Sequence, residues 1–119
     1  METPEYRPLS KKERAVLIWL LEHGPTDAIN FIPQLDVIEA RSSCSCGCPS
    51  IEFNVPIDSP YIESPKGMRL FAAGNTGTDE VGVMLTAGSG VLSNLEVYTW
   101  GGVDHSFDLP LLETLRITS

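Results

Sequence analysis

Between Arg69 and Arg116 the chain has no lysine and no arginine, while Asp79, Glu80, Glu96, Asp104, Asp108 and Glu113 all fall inside that interval. Nucleic-acid binding needs a basic footprint to displace phosphate counterions, and this half of the chain offers none. The expectation is therefore no nucleic acid and no anionic membrane surface as partner. Long apolar runs are missing too. The longest, Ala15 to Leu21, ends at Glu22-His23, far short of the ~20 residues a membrane span requires. Cysteine is confined to Cys44, Cys46 and Cys48, an odd number that makes a disulfide framework a poor expectation. The first residues, Met1-Glu2-Thr3-Pro4-Glu5, are acidic and unlike a secretory leader, so a reducing cytoplasm is the expected compartment. There is no G-x-S-x-G elbow. Gly74-Asn75-Thr76-Gly77-Thr78 has no following Lys-Ser/Thr and opens a strand rather than a helix, which excludes a phosphate loop.

What is present is a chain of 119 residues with 42% apolar content, enough for one folded domain with its own core. The net charge of −8 divides unevenly, with −2 on residues 1–41 and −6 on residues 42–119. A surface of that sign permits a basic protein or a cation as counterpart, or serves solubility alone.

Residues 1–9 read as an extended arm. Ser10-Lys11-Lys12-Glu13 has the S-x-x-E form of a capping box, and Val16, Leu17, Leu20 and Leu21 follow at helical spacing. Gly24-Pro25 ends that helix, the glycine as a left-handed cap residue. A second, shorter helix runs through Ala28, Ile29, Phe31, Ile32 and Leu35, kinked or ended by Pro33. Alternation then predicts strands over 36–41, 51–55, 68–73, 80–87 and 92–100. Val81, Val83, Leu85, Ala87, Leu95 and Val97 take one face, and Met84, Leu92, Tyr98 and Trp100 the other. Two apolar faces imply that both are at least partly covered, one by the helices and the other by a homodimer contact or by an apolar tail over 107–112. The fold class is α+β: two N-terminal helices packed on a mainly antiparallel sheet of about five strands, in a single domain over 1–119.

Cys44-Ser45-Cys46-Gly47-Cys48-Pro49 is the one local pattern with chemistry. Three sulfurs at alternate positions, with His105 or His23 as fourth ligand, are a candidate zinc site. No second cysteine pair exists, and the spacing is unusual for structural zinc. Reactive thiols have less support, because nothing in the turn lowers a thiol pKa. The third reading is packing, with cysteine as a small apolar residue in a bend. Asp104-His105 with Asp108 has no marked nucleophile beside it, so no catalytic site is assigned and a non-enzymatic protein is expected. Tyr98 and Trp100 are either interface anchors or core residues.

Cys44-Ser45-Cys46-Gly47-Cys48-Pro49-Ser50 after a strand, together with Gly90 to Tyr98 and then Trp100-Gly101-Gly102, resembles a group of small bacterial proteins discussed as immunity or accessory proteins. The resemblance implies a small acidic binding protein and names neither a partner nor a catalytic residue. The candidate binding residues are Glu80, Glu96, Asp104, Asp108, Tyr98 and Trp100, facing a basic protein partner. The alternatives are a zinc protein using Cys44, Cys46, Cys48 and His105, and a homodimeric structural protein.

Overall fold

Ser10 opens the first helix in the way its spacing to Glu13 demands. In the computed structural model, which describes residues 5–43, 49–56, 67–88, 90–100 and 107–118, the Glu13 amide donates to Ser10 Oγ at 3.1 Å. The Ser10 amide donates back to the Glu13 carboxylate at 2.9 Å. Such a cap contributes about 1 kcal/mol. The helix α1 spans Lys11–His23 and buries Val16, Leu17, Leu20 and Leu21. Glu13 is buried as well, with the Arg7 guanidinium on both its oxygens at 2.8 Å. That pair anchors the arm, of which Arg7–Pro8 forms a short edge strand, β1.

Gly24 does not adopt the expected left-handed conformation: its φ of −82° and ψ of −160° are extended. Its lack of a side chain serves close packing instead. A Cβ there would overlap Leu70 Cδ1 and lie 3.0 Å from the Leu20 carbonyl. The second helix is a 3-10 helix over Thr26–Asp36 that runs through Pro33 rather than ending at Ile32. Proline has no amide for the i→i−4 ladder, and its ring collides with the carbonyl four residues back in an α-helix. Tighter winding avoids that collision. The segment buries Ala28, Phe31, Gln34 and Leu35. Its end is tied by the Val37 and Ile38 amides, which both donate to the Gln34 carbonyl.

The remaining strands are β2 (Glu39–Ser42), β3 (Ile51–Asn54), β4 (Met68–Asn75), β5 (Glu80–Gly88), β6 (Val91–Thr99) and β7 (Arg116–Ile117). They form one antiparallel sheet of seven strands in the order β1-β2-β3-β6-β5-β4-β7. The α+β class is as expected. The count exceeds five because β1 and β7, two residues each, join as edges. Pairs that short carry no alternation to detect, and they exist only because a longer strand offers them a free edge. The strand expected from Asp36 begins only at Glu39: Asp36 is the last residue of the 3-10 helix, and Val37 and Ile38 follow it as its cap.

The inner face of the sheet packs on α1 and the 3-10 helix. Leu70 and Ala72 of β4, Val81, Val83, Leu85 and Ala87 of β5, and Leu95 and Val97 of β6 are each at most 3% exposed. Leu92 joins them at 1%, although strict alternation from Leu95 and Val97 would place it outside. The ladder slips by one residue here: Thr86 pairs with Asn94 but Ala87 with Leu92, so Ser93 has no opposite number. A bulge of this kind reverses the facing of everything beyond it.

Buried polar groups are satisfied by side chains that complete the ladder. Gln34, fully buried, donates to the Gly90 carbonyl at 2.8 Å and accepts from the Leu92 amide at 2.9 Å. It thus clamps the β5–β6 turn, where Gly90 has φ +84°. Ser50 Oγ accepts from the Val97 amide at 2.8 Å and donates to the Val97 carbonyl at 3.1 Å, extending the β3–β6 pairing by a side chain. The tail packs back as expected, with Leu109 and Leu115 buried, while Leu111 and Leu112 stay exposed. It lies against β4 on the helix side, where Pro110 Cβ and Leu115 Cδ2 crowd Gly74, and so does not cover the outer face. No helix of the described residues is long and apolar enough to cross a membrane.

Candidate functional site

Opposite residues of an antiparallel pair share a face, so the strand registers define what the outer face presents. At its centre, β6 shows Asn94, Glu96 and Tyr98, set against Thr86, Met84 and Gly82 of β5. Beyond them β4 shows Arg69, Phe71 and Ala73, and Arg116 of β7 lies opposite Ala73. On the other flank Glu52 of β3 faces Asn94, and Arg41 of β2 faces Glu52. Among the described residues no helix packs on this face.

Its most prominent feature is an aromatic pair. Tyr98 is 37% and Trp100 61% exposed, with ring centroids 5.7 Å apart and planes inclined by 59°. Neither is a core residue. The Tyr98 ring lies over Gly82, where a Cβ would overlap Cε2 and Cζ and sit 2.7 Å from Oη. A glycine inside a strand often marks such a close approach, and this was the one local signal for it in the string. Met84 and Phe71, each half-buried, continue the apolar strip across β5 and β4.

Glu96 lies two residues before Tyr98 on the same side of β6. Glu80 precedes Val81, which pairs with Thr99, so the register continued by one step sets it across from Trp100. Both carboxylates are exposed, and neither has an ion pair among the described residues. Asp108 is placed elsewhere. It accepts from Lys12 Nζ of α1 at 2.5 Å and from the Leu109 amide at 2.7 Å, on the helix side of the molecule. The Lys12 hydrogen bond, helped by the Leu109 amide, holds the Asp108 carboxyl below its ordinary range. The arginines that bracket the acidic interval in sequence return to the outer face as Arg69 and Arg116, at the β4 and β7 side. The two central strands carry glutamate alone.

A second aromatic-charge cluster occupies the far flank, which sequence reasoning did not find. Arg41 donates to Glu52, and its guanidinium carbon lies 4.4 Å from the centroid of the Tyr6 ring. The Glu52 hydrogen bond raises the Arg41 pKa further. Nothing local foretells it, because Tyr6 reaches Arg41 only once the arm has paired with β2.

Cys44, Cys46, Cys48, Asp104 and His105 lie outside the described residues. His23 ends α1 with its ring stacked on Trp19 at 4.1 Å and Nδ1 2.8 Å from the Trp19 carbonyl. Among the described residues no three His, Cys, Asp or Glu side chains are grouped to hold a metal ion. Compared with protein-family profiles, curated proteins and solved structures, the chain matches none.

Proposed function

We propose that the chain is a non-enzymatic protein-binding domain that docks a basic protein partner on the face of its sheet turned away from the helices. The observation that carries the proposal is Trp100, 61% exposed beside Tyr98 on a face with no described helix. A tryptophan buries up to about 250 Å², so covering the exposed part of Trp100 removes roughly 150 Å² from water and yields ~4 kcal/mol. That is the scale of an interface anchor. Glu80 and Glu96, with no ion pair among the described residues, give the patch a sign, and complementary charge speeds association and rejects acidic competitors. Occluding a basic toxin or nuclease surface in this way fits the immunity- or accessory-like role that the resemblance over Cys44–Ser50 and Gly90–Gly102 implies.

The test is partner capture with wild type and Trp100→Ala, followed by binding of the identified, purified partner. Trp100→Ala is expected to weaken binding at least tenfold. Neutralising Glu80 and Glu96 together should slow association, most at low salt, whereas Asp108→Asn, whose native side chain faces α1, should leave it unchanged. A partner that binds Trp100→Ala and the double glutamine variant as tightly as wild type overturns the proposal.

A further inference from the structure

We infer that Tyr98, Trp100 and Glu96, with Glu80 at the rim, form a receptor for an arginine side chain of the partner. The inference rests on the docking role of the outer face proposed above and adds the chemistry of what docks. The same face already solves this recognition problem once, internally. On its β2 flank a guanidinium, that of Arg41, stacks over an aromatic ring, Tyr6, and gives its edge to a carboxylate, Glu52. At the centre of the face the ring and the carboxylate recur, but among the described residues no cation joins them. Glu96 and Tyr98 stand two residues apart on one side of β6, which is about 6.6 Å along a strand. A guanidinium stacked on the ring reaches a carboxylate across that span. The inclination of 59° between Tyr98 and Trp100 presents two non-parallel ring surfaces, so a planar group on one meets the edge of the other.

Charge agrees with geometry. The arginines of this face sit on β2, β4 and β7, and β5 and β6 between them show Glu80 and Glu96 with no base. Arginine rather than lysine is selected because a guanidinium is planar, weakly hydrated, and able to stack and donate from its edge at once. An ammonium is a strongly hydrated point charge that does one or the other.

The experiment uses two synthetic peptides, Gly-Ser-Arg-Gly-Arg-Ser-Gly and its twin with lysine at both basic positions. Each is titrated into the ¹⁵N-labelled full chain while the Trp100 indole resonance is followed, assigned by comparison with Trp19→Phe. The arginine peptide should shift that resonance saturably and bind at least fivefold tighter than the lysine peptide. Glu96→Gln and Tyr98→Ala, both at exposed positions, should each weaken it at least fivefold. Equal binding of the two peptides removes the arginine receptor while leaving a basic-partner face standing. No shift with either peptide also removes the receptor. The partner capture with Trp100→Ala then decides separately whether the face docks anything.

Discussion

Gly82→Ala separates the placing of Tyr98 from its presence. An alanine Cβ at position 82 would overlap Tyr98 Cε2 and Cζ and lie 2.7 Å from Oη, against an ordinary carbon contact of about 3.5 Å or more. The colliding atoms are the far end of a side chain that is 37% exposed, so the ring swings outward and the backbone stays. Lifting the ring returns on the order of 50 Å² to water, about 1.3 kcal/mol at ~25 cal/mol per Å². Exchanging glycine for alanine inside a strand regains roughly 0.5–1 kcal/mol. The two nearly cancel, and the melting temperature should move by less than about 5 °C. Binding should not be spared. With Tyr98 displaced from Trp100 and Glu96, affinity for the arginine peptide should fall at least tenfold, which is ~1.4 kcal/mol. Gly88 on the same strand is the control, since a Cβ there meets no atom within 4 Å, and Gly88→Ala should leave binding intact while gaining the roughly 0.5–1 kcal/mol of the glycine-to-alanine exchange alone. Urea melts and the indole titration read the two quantities side by side. A Gly82→Ala protein that is stable and binds like wild type would refute the account of the site. A loss above about 3 kcal/mol would instead show that the backbone, not the ring, gives way.

Two further predictions concern what holds the face in place. Gln34→Leu orphans the Gly90 carbonyl and the Leu92 amide in a fully buried site; at about 1–3 kcal/mol for each group, chemical denaturation should show a loss of ~2–6 kcal/mol, and a loss below ~1 would contradict the clamp. For Glu13, burial pushes the carboxyl up, but the Arg7 hydrogen bond, the Ser10 amide and the Arg7 charge outweigh it and hold it below its ordinary 4.5. A carboxylate lowered on folding stabilises fully above its unfolded value and loses that contribution as pH falls through the folded one. Wild type should therefore lose melting temperature more steeply than Glu13→Gln on going from pH 5 toward pH 3, and parallel curves would exclude this role.

How much of this was legible depends on the range of the interaction. The helix α1 was readable because its cap joins Ser10 to Glu13 and its stripe repeats within two turns. The inner face of β5 was readable because alternation from Val81 to Ala87 is a property of consecutive residues. The 3-10 winding of Thr26–Asp36 was half legible: Pro33 announced a fault in an α-helix, but not that the segment would wind on through it with Phe31 and Leu35 buried.

The sequence alone thus determined the class, the first helix, the central strands and the position of an aromatic pair among carboxylates. Only the tertiary structure decided which face those groups would share. One unopposed residue, Ser93, turned Leu92 inward and left the outer face less apolar than alternation promised. Asp108 was drawn to Lys12, ninety-six positions away, while Arg69 and Arg116 came back beside strands from which they are remote along the chain. Register and long-range ion pairing depend on which strands meet, and that is a property of the folded sheet rather than of any window of residues.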